Sequence, residues 1–399
     1  MSFTLDTVFP GLRSALPQHR AIRVEAILNR FFSKTLSTTK DGDPFVITGD
    51  IPAMWLRDST WQVRPFFRSP NKELGELLSR LSQTQVKLFL IDPYANAFNS
   101  EPNGQCWEKD FPDQSPWVFE RKFELDSWAS ILHLARRVEE VWAISGHKDH
   151  NFKRAINAMV TLARKEQRHQ PESYRFIRDN GVPHDSLSHH GIGAPVGYTG
   201  MIWSAFRPSD DACVYGYHVP SNLFFANELR HLNENIEVRS LADEIESGAT
   251  EHALFEKGYA YEVDGLGSAL FIDDANVPSL LSLPYLGVCT AYDERYLKTR
   301  YRVTSEENPY FFAGTAATGI GSQHTPDGHI WPIAIAIQAL TSTSTTDLER
   351  VLDVLESTDA GTGMMHESFH KDDASRYTRE WFSWADMTYL ELVLKTAKY

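Results

Sequence analysis

The feature that most constrains the fold of this chain is a helix-period spacing of apolar residues that recurs from end to end, with charged residues on the opposite face. Segments of this kind run over 17–35, 54–67, 72–90, 125–144, 151–168, 220–234, 237–257, 276–283, 289–299, 330–342, 346–357 and 384–397, while alternating, strand-like patterns are few. The stretch from Asp347 to Leu355 shows the spacing most clearly, after a Ser/Thr-rich turn at Thr341 to Thr346 that supplies N-cap candidates. With 399 residues, 42% of them hydrophobic and 23% charged, the chain can bury a large core. No low-complexity linker or charge block divides it. The expectation is therefore an all-α fold and a single domain over residues 1–399, in which paired helices close into a double ring around a central cavity.

Between the helical segments lie loops over 92–118, 178–216, 260–275, 304–331 and 359–383, dense in Gly, Pro, Asn, His and Trp. They are longer than compact packing requires, and long loops on a rigid scaffold commonly carry binding chemistry. Ten tryptophans suit a sugar site, because the apolar faces of a pyranose stack on aromatic rings, although most serve the core.

A formal net charge of −14, with no Lys/Arg-rich run against it, repels phosphate backbones and excludes nucleic acid as a partner. Cys106, Cys213 and Cys289 form an odd set without CxxC spacing, expected to be reduced and buried. The segment Met1 to Arg13 lacks a basic stretch followed by an apolar one, and the longest apolar run, Ile333 to Leu340, is too short to span a bilayer. The expectation is a soluble, cytoplasmic protein that does not engage a membrane. His184, His189 and His190 lack the paired helical spacing plus acid of a zinc hydrolase, so neither metal nor cofactor is expected. Walker, dinucleotide and GxSxG motifs are missing as well, which sets aside P-loop enzymes, Rossmann dehydrogenases and serine hydrolases.

Four clusters carry candidate chemistry. In the first, Asp50 can cap a helix beginning at Pro52, near whose start Arg57 and Asp58 can together clamp vicinal hydroxyls; a solvent-facing ion pair is the plainer reading. The second, Trp117 to Ser127, alternates aromatic and charged residues, a pattern that also describes a half-buried strand. The third, Phe206 to Ala212, places Asp210 and Asp211 beside Arg207 in a Pro-containing turn. Two acids so close rarely ionise alike, and one in an apolar pocket can keep its proton and act as a general acid; an Asp-rich cap is the alternative. In the fourth, Gly361 to Phe369, glycines bring backbone close to a ligand, and His366 and Glu367 stand before the Trp-rich stretch Arg379 to Asp386, where a base can activate water; a surface Glu is the alternative. The stretches Asp273 to Ser279 and His324 to Pro332 each pair hydrogen-bonding side chains with a helix start.

Taken in order, DIPAMWLRDS at 50–59, ERKFELDS at 120–127, FRPSDDA at 206–212, DDANVPSLLSLPYLG at 273–287, HTPDGHIWP at 324–332 and MHESF at 365–369 resemble glycoside hydrolase family 125, the exo-acting α-1,6-mannosidases. The resemblance implies an (α/α)6 barrel, an inverting mechanism without catalytic metal, and a mannose-containing oligosaccharide or N-glycan fragment as partner. It also implies that an acid of the FRPSDDA turn donates the proton, Asp210 in preference to its rival Asp211, and that Glu367 directs the water. The sugar-binding set it implies is Trp55, Arg57, Asp58, Lys122, Asp126, Arg207, Asp211, Asp274, Asn276, His324 and His366. Glu380 departs from the pattern, which often has Pro between Arg379 and Trp381. Two rival readings remain: another helical-barrel glycosidase or phosphorylase acting on glucose-type sugars, and a glycan-binding protein without turnover.

Overall fold

The structure, a computed structural model, describes residues 3–232, 236–344 and 348–399. The ends of the expected segments 220–234 and 346–357, the cap candidates Thr345 and Thr346, and Met1 lie outside them.

The expected helices form in order: α1 Gln18–Arg30, α2 Leu56–Trp61, α3 Lys72–Phe89, α4 Leu125–Trp142, α5 His150–Glu166, α6 Val219–Leu232, α7 Ile236–Ala253, α8 Glu294–Val303, α9 Pro332–Leu340, α10 Leu348–Ser357 and α11 Ser383–Thr396. Five are almost wholly buried or pack on buried neighbours in a closed sequence, α2 on α4, α4 on α6, α9 on α11 and α11 back on α2. Their composition shows why: α9 reads PIAIAIQAL and is apolar at every position but Gln338, as a helix enclosed by others must nearly be. The outer helices are amphipathic. α3 packs on α4 and α5, α7 on α5 and α6, α10 on α9 and α11, and α1 on α11. The result is the (α/α)6 arrangement.

Between α6 and α9 the inner ring is completed by turns instead of the expected helix 276–283. The Asp273 carboxylate accepts from the backbone N–H of Leu280 (2.8 Å) and Leu281 (2.9 Å), which folds the chain back on itself before a helical turn can form. Tyr285 from this segment stands against Trp61 of α2, with ring centroids 5.6 Å apart, and its hydroxyl donates to Glu391 of α11 at 2.7 Å. The expected helix at 289–299 starts later, at Glu294, because Asp293 accepts from the N–H of Arg295 and Tyr296 and caps it there. Likewise the expected helix from Pro52 begins only at Leu56, and Asp50 caps nothing: its carboxylate pairs with Arg379.

Strands are more numerous than the sequence suggests, but each is only two to six residues long and serves to tie loops together over one end of the ring. Three small antiparallel sheets matter for the site: Met54–Trp55 with Ala97–Phe98 and Val118–Glu120; Tyr217–His218 with Glu262–Val263 and Ala269–Leu270; and His329–Ile330 with Ser368–His370 and Asp373–Thr378. The cysteines are unpaired, and only Cys213 is fully buried; Cys106 and Cys289 lie in loops and are half-buried. Among the described residues no helix is long and apolar enough to cross a membrane.

Candidate active site

The first sheet ends where α2 begins, so Trp55, Arg57 and Asp58 are delivered together to one wall of a cavity of about 380 Å³. That volume is at the lower end of the roughly 300–1,000 Å³ of small-ligand sites. The floor is aromatic: Trp331, Phe382 and Trp384 line it and are each less than 5% exposed. Trp107, 53% exposed, stands at the rim with its ring edge-on to Phe119.

Arg57 is the electrostatic centre. Its Nη1 donates to Glu124 Oε2 (2.5 Å) and Asp126 Oδ2 (3.4 Å), its Nη2 donates to Asp210 Oδ1 (3.1 Å), and its Nε lies 3.5 Å from Asp58 Oδ1. The solvent-facing reading of the Arg57–Asp58 pair is thereby ruled out, both residues being at most 5% exposed. Burial pushes the Asp58 and Asp126 carboxyls up to about 6 against the pull of Arg57.

The Phe206 to Ala212 turn closes through a bridge between its ends, with Asp210 in the left-handed backbone region at φ 67°. The turn divides its two acids. Asp210 lines the cavity, whereas Asp211 is wholly buried behind it, with Oδ2 accepting from Ser209 Oγ at 2.9 Å and Oδ1 lying 3.5 Å from His324 Nδ1. The expected apolar pocket around Asp210 is replaced by cations. Burial disfavours its carboxylate, but Arg57, a hydrogen bond from Glu124 and the Lys122 charge outweigh that and hold it well below the usual range. The acid held well above its ordinary value is Glu124, by burial and then by the Asp210 charge against the pull of Arg57. Lys122 follows the first sheet and donates to Asp185 Oδ1 (2.9 Å) and the Asp210 carbonyl (2.6 Å).

Glu367 enters from the third sheet. It precedes the strand Ser368–His370, lines the cavity at 6% exposure, and accepts from Arg379 Nη1 at 3.1 Å. Asn276 and His324 also line the cavity.

Asp126, Arg207, Asp211, Asp274 and His366 stand behind the lining residues. Arg207 donates to Glu262 (2.5 Å) and Gln323 (3.3 Å), which fixes the base of the 206–212 turn. Asp274 accepts from both the N–H and Nδ2 of Asn276 at 3.0 Å and from Ser322 at 2.6 Å, so it orients Asn276. His366 stacks on Tyr377 with ring centroids 3.8 Å apart and donates from Nδ1 to the carbonyl of Glu380 at 2.7 Å. Glu380 thus shapes the loop through its backbone, while its carboxylate accepts from the Tyr377 hydroxyl at 3.4 Å.

Sequence reasoning passed over Asn96, Glu124, Arg178, Asp185 and Arg379. Glu124 lies inside ERKFELDS, and Arg379 opens the Trp-rich stretch after MHESF, so both were in view as letters. His189 and His190 are exposed, and among the described residues no group of three or more His, Cys, Asp or Glu side chains could hold a metal ion.

A metal-independent α-mannosidase of Streptococcus pneumoniae, solved as a non-productive complex with α-1,6-mannobiose, is 41% identical and superposes with a TM-score of 0.93 over 100% of both chains. The meiotically up-regulated gene 157 protein of Schizosaccharomyces pombe is 38% identical over 391 residues, 88% of this chain and 76% of its own. A bacterial glucoamylase complexed with acarbose shares the fold at 13% identity and a TM-score of 0.55, covering 98% of this chain and 58% of its own. Residues 21–394 match the metal-independent α-mannosidases over most of the chain, so this protein belongs to glycoside hydrolase family 125.

Proposed function

We propose that this α-mannosidase releases non-reducing terminal α-1,6-linked mannose one unit at a time, with inversion to β-mannose, from a mannose-containing oligosaccharide or N-glycan fragment. The observation that carries the reading is the cavity itself: Asp58, Lys122, Asp210, Asn276 and Glu367 line it with polar atoms over an aromatic floor. A single pyranose ring offers hydroxyls to such atoms and an apolar face to such a floor. The linkage is supported by the mannobiose bound to the Streptococcus pneumoniae relative.

In this reading Asp210 gives a proton to the glycosidic oxygen as the bond to the anomeric carbon breaks. Glu367 takes a proton from water, whose oxygen attacks the anomeric carbon from the opposite face. Lys122 and Arg57 hold Asp210 in place, and Arg379 holds Glu367. Mannose leaves first as the β-anomer, and Glu367 returns its proton to solvent. Residues 1–399 act as one catalytic domain, a reading supported by the contiguous core that links the first helix to the last. Three unpaired thiols support a reducing, cytoplasmic location.

Proton NMR of fresh product, with α-1,2-, α-1,3- and α-1,6-mannobiose compared at equal concentration, tests the reading. Initial β-mannose and preference for the α-1,6 isomer are expected. Initial α-mannose overturns inversion, and preference for another isomer overturns the linkage.

A further inference from the structure

Four carboxyl groups, those of Asp58, Glu124, Asp126 and Asp210, surround the single Arg57 guanidinium. Glu124 and Asp126 have no exposed side-chain surface, and Glu124 lies nearest the guanidinium; its second oxygen accepts from Asn96 Nδ2 at 3.2 Å. The same Asn96 amide lies 3.5 Å from Asp210 Oδ1. The Glu124 and Asp210 carboxyls thus bracket the same guanidinium, on Nη1 (2.5 Å) and Nη2 (3.1 Å), and the same amide nitrogen. Two carboxyls held on shared donors repel each other when both are ionised, and one retained proton removes that repulsion. Leaving all four ionised beside Arg57, largely out of water, would be costlier than retaining one proton, even with the Lys122 charge near Asp210.

We infer that Glu124 and Asp210 hold one proton in common, and that Glu124 is the positioning residue that stores it for the Asp210 general acid. The inference rests on the reading of Asp210 as the proton donor. Burial favours the neutral form of Glu124, while Arg57 and Lys122 favour the charged form of Asp210, so in the resting enzyme the proton lies on Glu124. During turnover the Glu124 O–H bond breaks and an Asp210 O–H bond forms. That bond in turn breaks as the glycosidic oxygen takes the proton, and the leaving sugar departs as a neutral alcohol. Glu124 and Asp210 are then both carboxylates beside Arg57, and one proton from solvent restores the pair.

The pair makes the acid strong without emptying it. Asp210 alone, beside Arg57 and Lys122, would be ionised at neutral pH and have nothing to donate. With Glu124 behind it, the proton is present but sits on the neighbouring carboxyl.

The test compares Glu124→Gln with wild-type enzyme on α-1,6-mannobiose and on 2,4-dinitrophenyl α-mannoside, whose leaving group needs no proton. Glutamine can still accept from Arg57 and donate to Asp210, so the expected result is a fall in kcat of about 100-fold on mannobiose with KM little changed, and of less than about threefold on the aryl mannoside. Equal losses on both substrates, or an undiminished rate on mannobiose, would overturn the inference. Asp210→Asn run in parallel separates the two layers: if it shows no dependence on the leaving group, the reading of Asp210 as donor fails and the inference falls with it. Should Glu124→Gln not fold, wild-type enzyme carrying 13C-labelled glutamate decides. A protonated-carboxyl infrared band at neutral pH that shifts with the label is expected, and a spectrum without one refutes the stored proton.

Discussion

Arg379 donates from Nη1 to Glu367 Oε1 at 3.1 Å, and the Glu367 N–H donates back to the Arg379 carbonyl at 3.3 Å. The two residues face each other across the open end of one hairpin, just outside the Ser368–Thr378 pair. Arg379 adopts φ 36° there, in the left-handed region that an L-residue occupies at a cost, and its remaining donors pair with Asp50 and Thr48. The ion pair is 23% and 8% exposed at its two side chains, so it is largely desolvated and fixes the carboxylate in one orientation.

Arg379→Ala should therefore lower kcat by about 10- to 100-fold, the cost of a misplaced base, while KM for α-1,6-mannobiose changes little. Arg379→Lys should recover only part of the rate, because an ammonium group cannot serve Glu367 and Asp50 with a planar fork. Steady-state kinetics check both. A rise in KM with kcat untouched would place Arg379 in sugar binding instead.

The division of labour between neighbouring acids gives the second expectation. Asp210 faces the cavity and Asp211 is buried against Ser209 and His324. Asp210→Asn should cost about 10²- to 10⁴-fold in kcat on a sugar leaving group. Asp211→Asn should cost less there and should lower thermal stability, since its loss leaves His324 without its anion. The reverse order of rates would move the acid by one residue.

How far the letters alone carry can be read from two contrasts. The apolar spacing of Leu348, Val351, Leu352 and Leu355 has no competing signal and becomes α10. The similar spacing of Val277, Leu280, Leu281 and Leu283 does not become a helix, because Pro278 and Pro284 interrupt it and a distant-looking acid, Asp273, captures the backbone N–H groups. In the site, residue types that do chemistry by themselves, Arg57, Asp210 and Glu367, stand out in their motifs. Their partners do not: Arg57 and Glu124 are 67 residues apart, and only the meeting of α2 with the start of α4 makes them neighbours. Which acid of a cluster keeps a proton depends on burial and on that meeting, and neither is written in local sequence.

His324 supplies a pH expectation. Desolvation at the cavity wall opposes its charge, but the Asp211 hydrogen bond and carboxylate prevail and raise it to about 9. A folded-state value above the unfolded value of roughly 6.5 means that the pairing stabilises the fold fully below about 6.5 and is lost as pH rises through about 9. The side chain is 35% exposed, so solvent screening limits the effect to about 1 kcal/mol. The difference in Tm between wild-type and His324→Gln proteins should accordingly be full at a pH of about 6.5, shrink as pH rises, and vanish above about 9. A difference that stays constant across that range would show that His324 acts by packing alone.

Asp58 should show the opposite side of the same linkage, a functional acid that costs stability. It is 5% exposed, its Oδ1 has no hydrogen-bond partner inside the protein, and burial raises its carboxyl to about 6. Because the folded state binds the proton more tightly than the unfolded chain, the stabilisation present below a pH of about 4 is lost as pH rises through about 6. By linkage the carboxylate then costs about 3 kcal/mol at neutral pH. Arg57 does not depend on it, having Glu124, Asp126 and Asp210 as closer partners. Asp58→Asn should therefore raise Tm by a few degrees at neutral pH, lose that gain near a pH of about 4, and weaken mannoside hydrolysis by removing an acceptor for a sugar hydroxyl. Thermal melts across pH, read beside kcat/KM, decide it. A lower Tm at neutral pH would mean that the Asp58 charge is a net support of Arg57 and not a cost carried for the substrate.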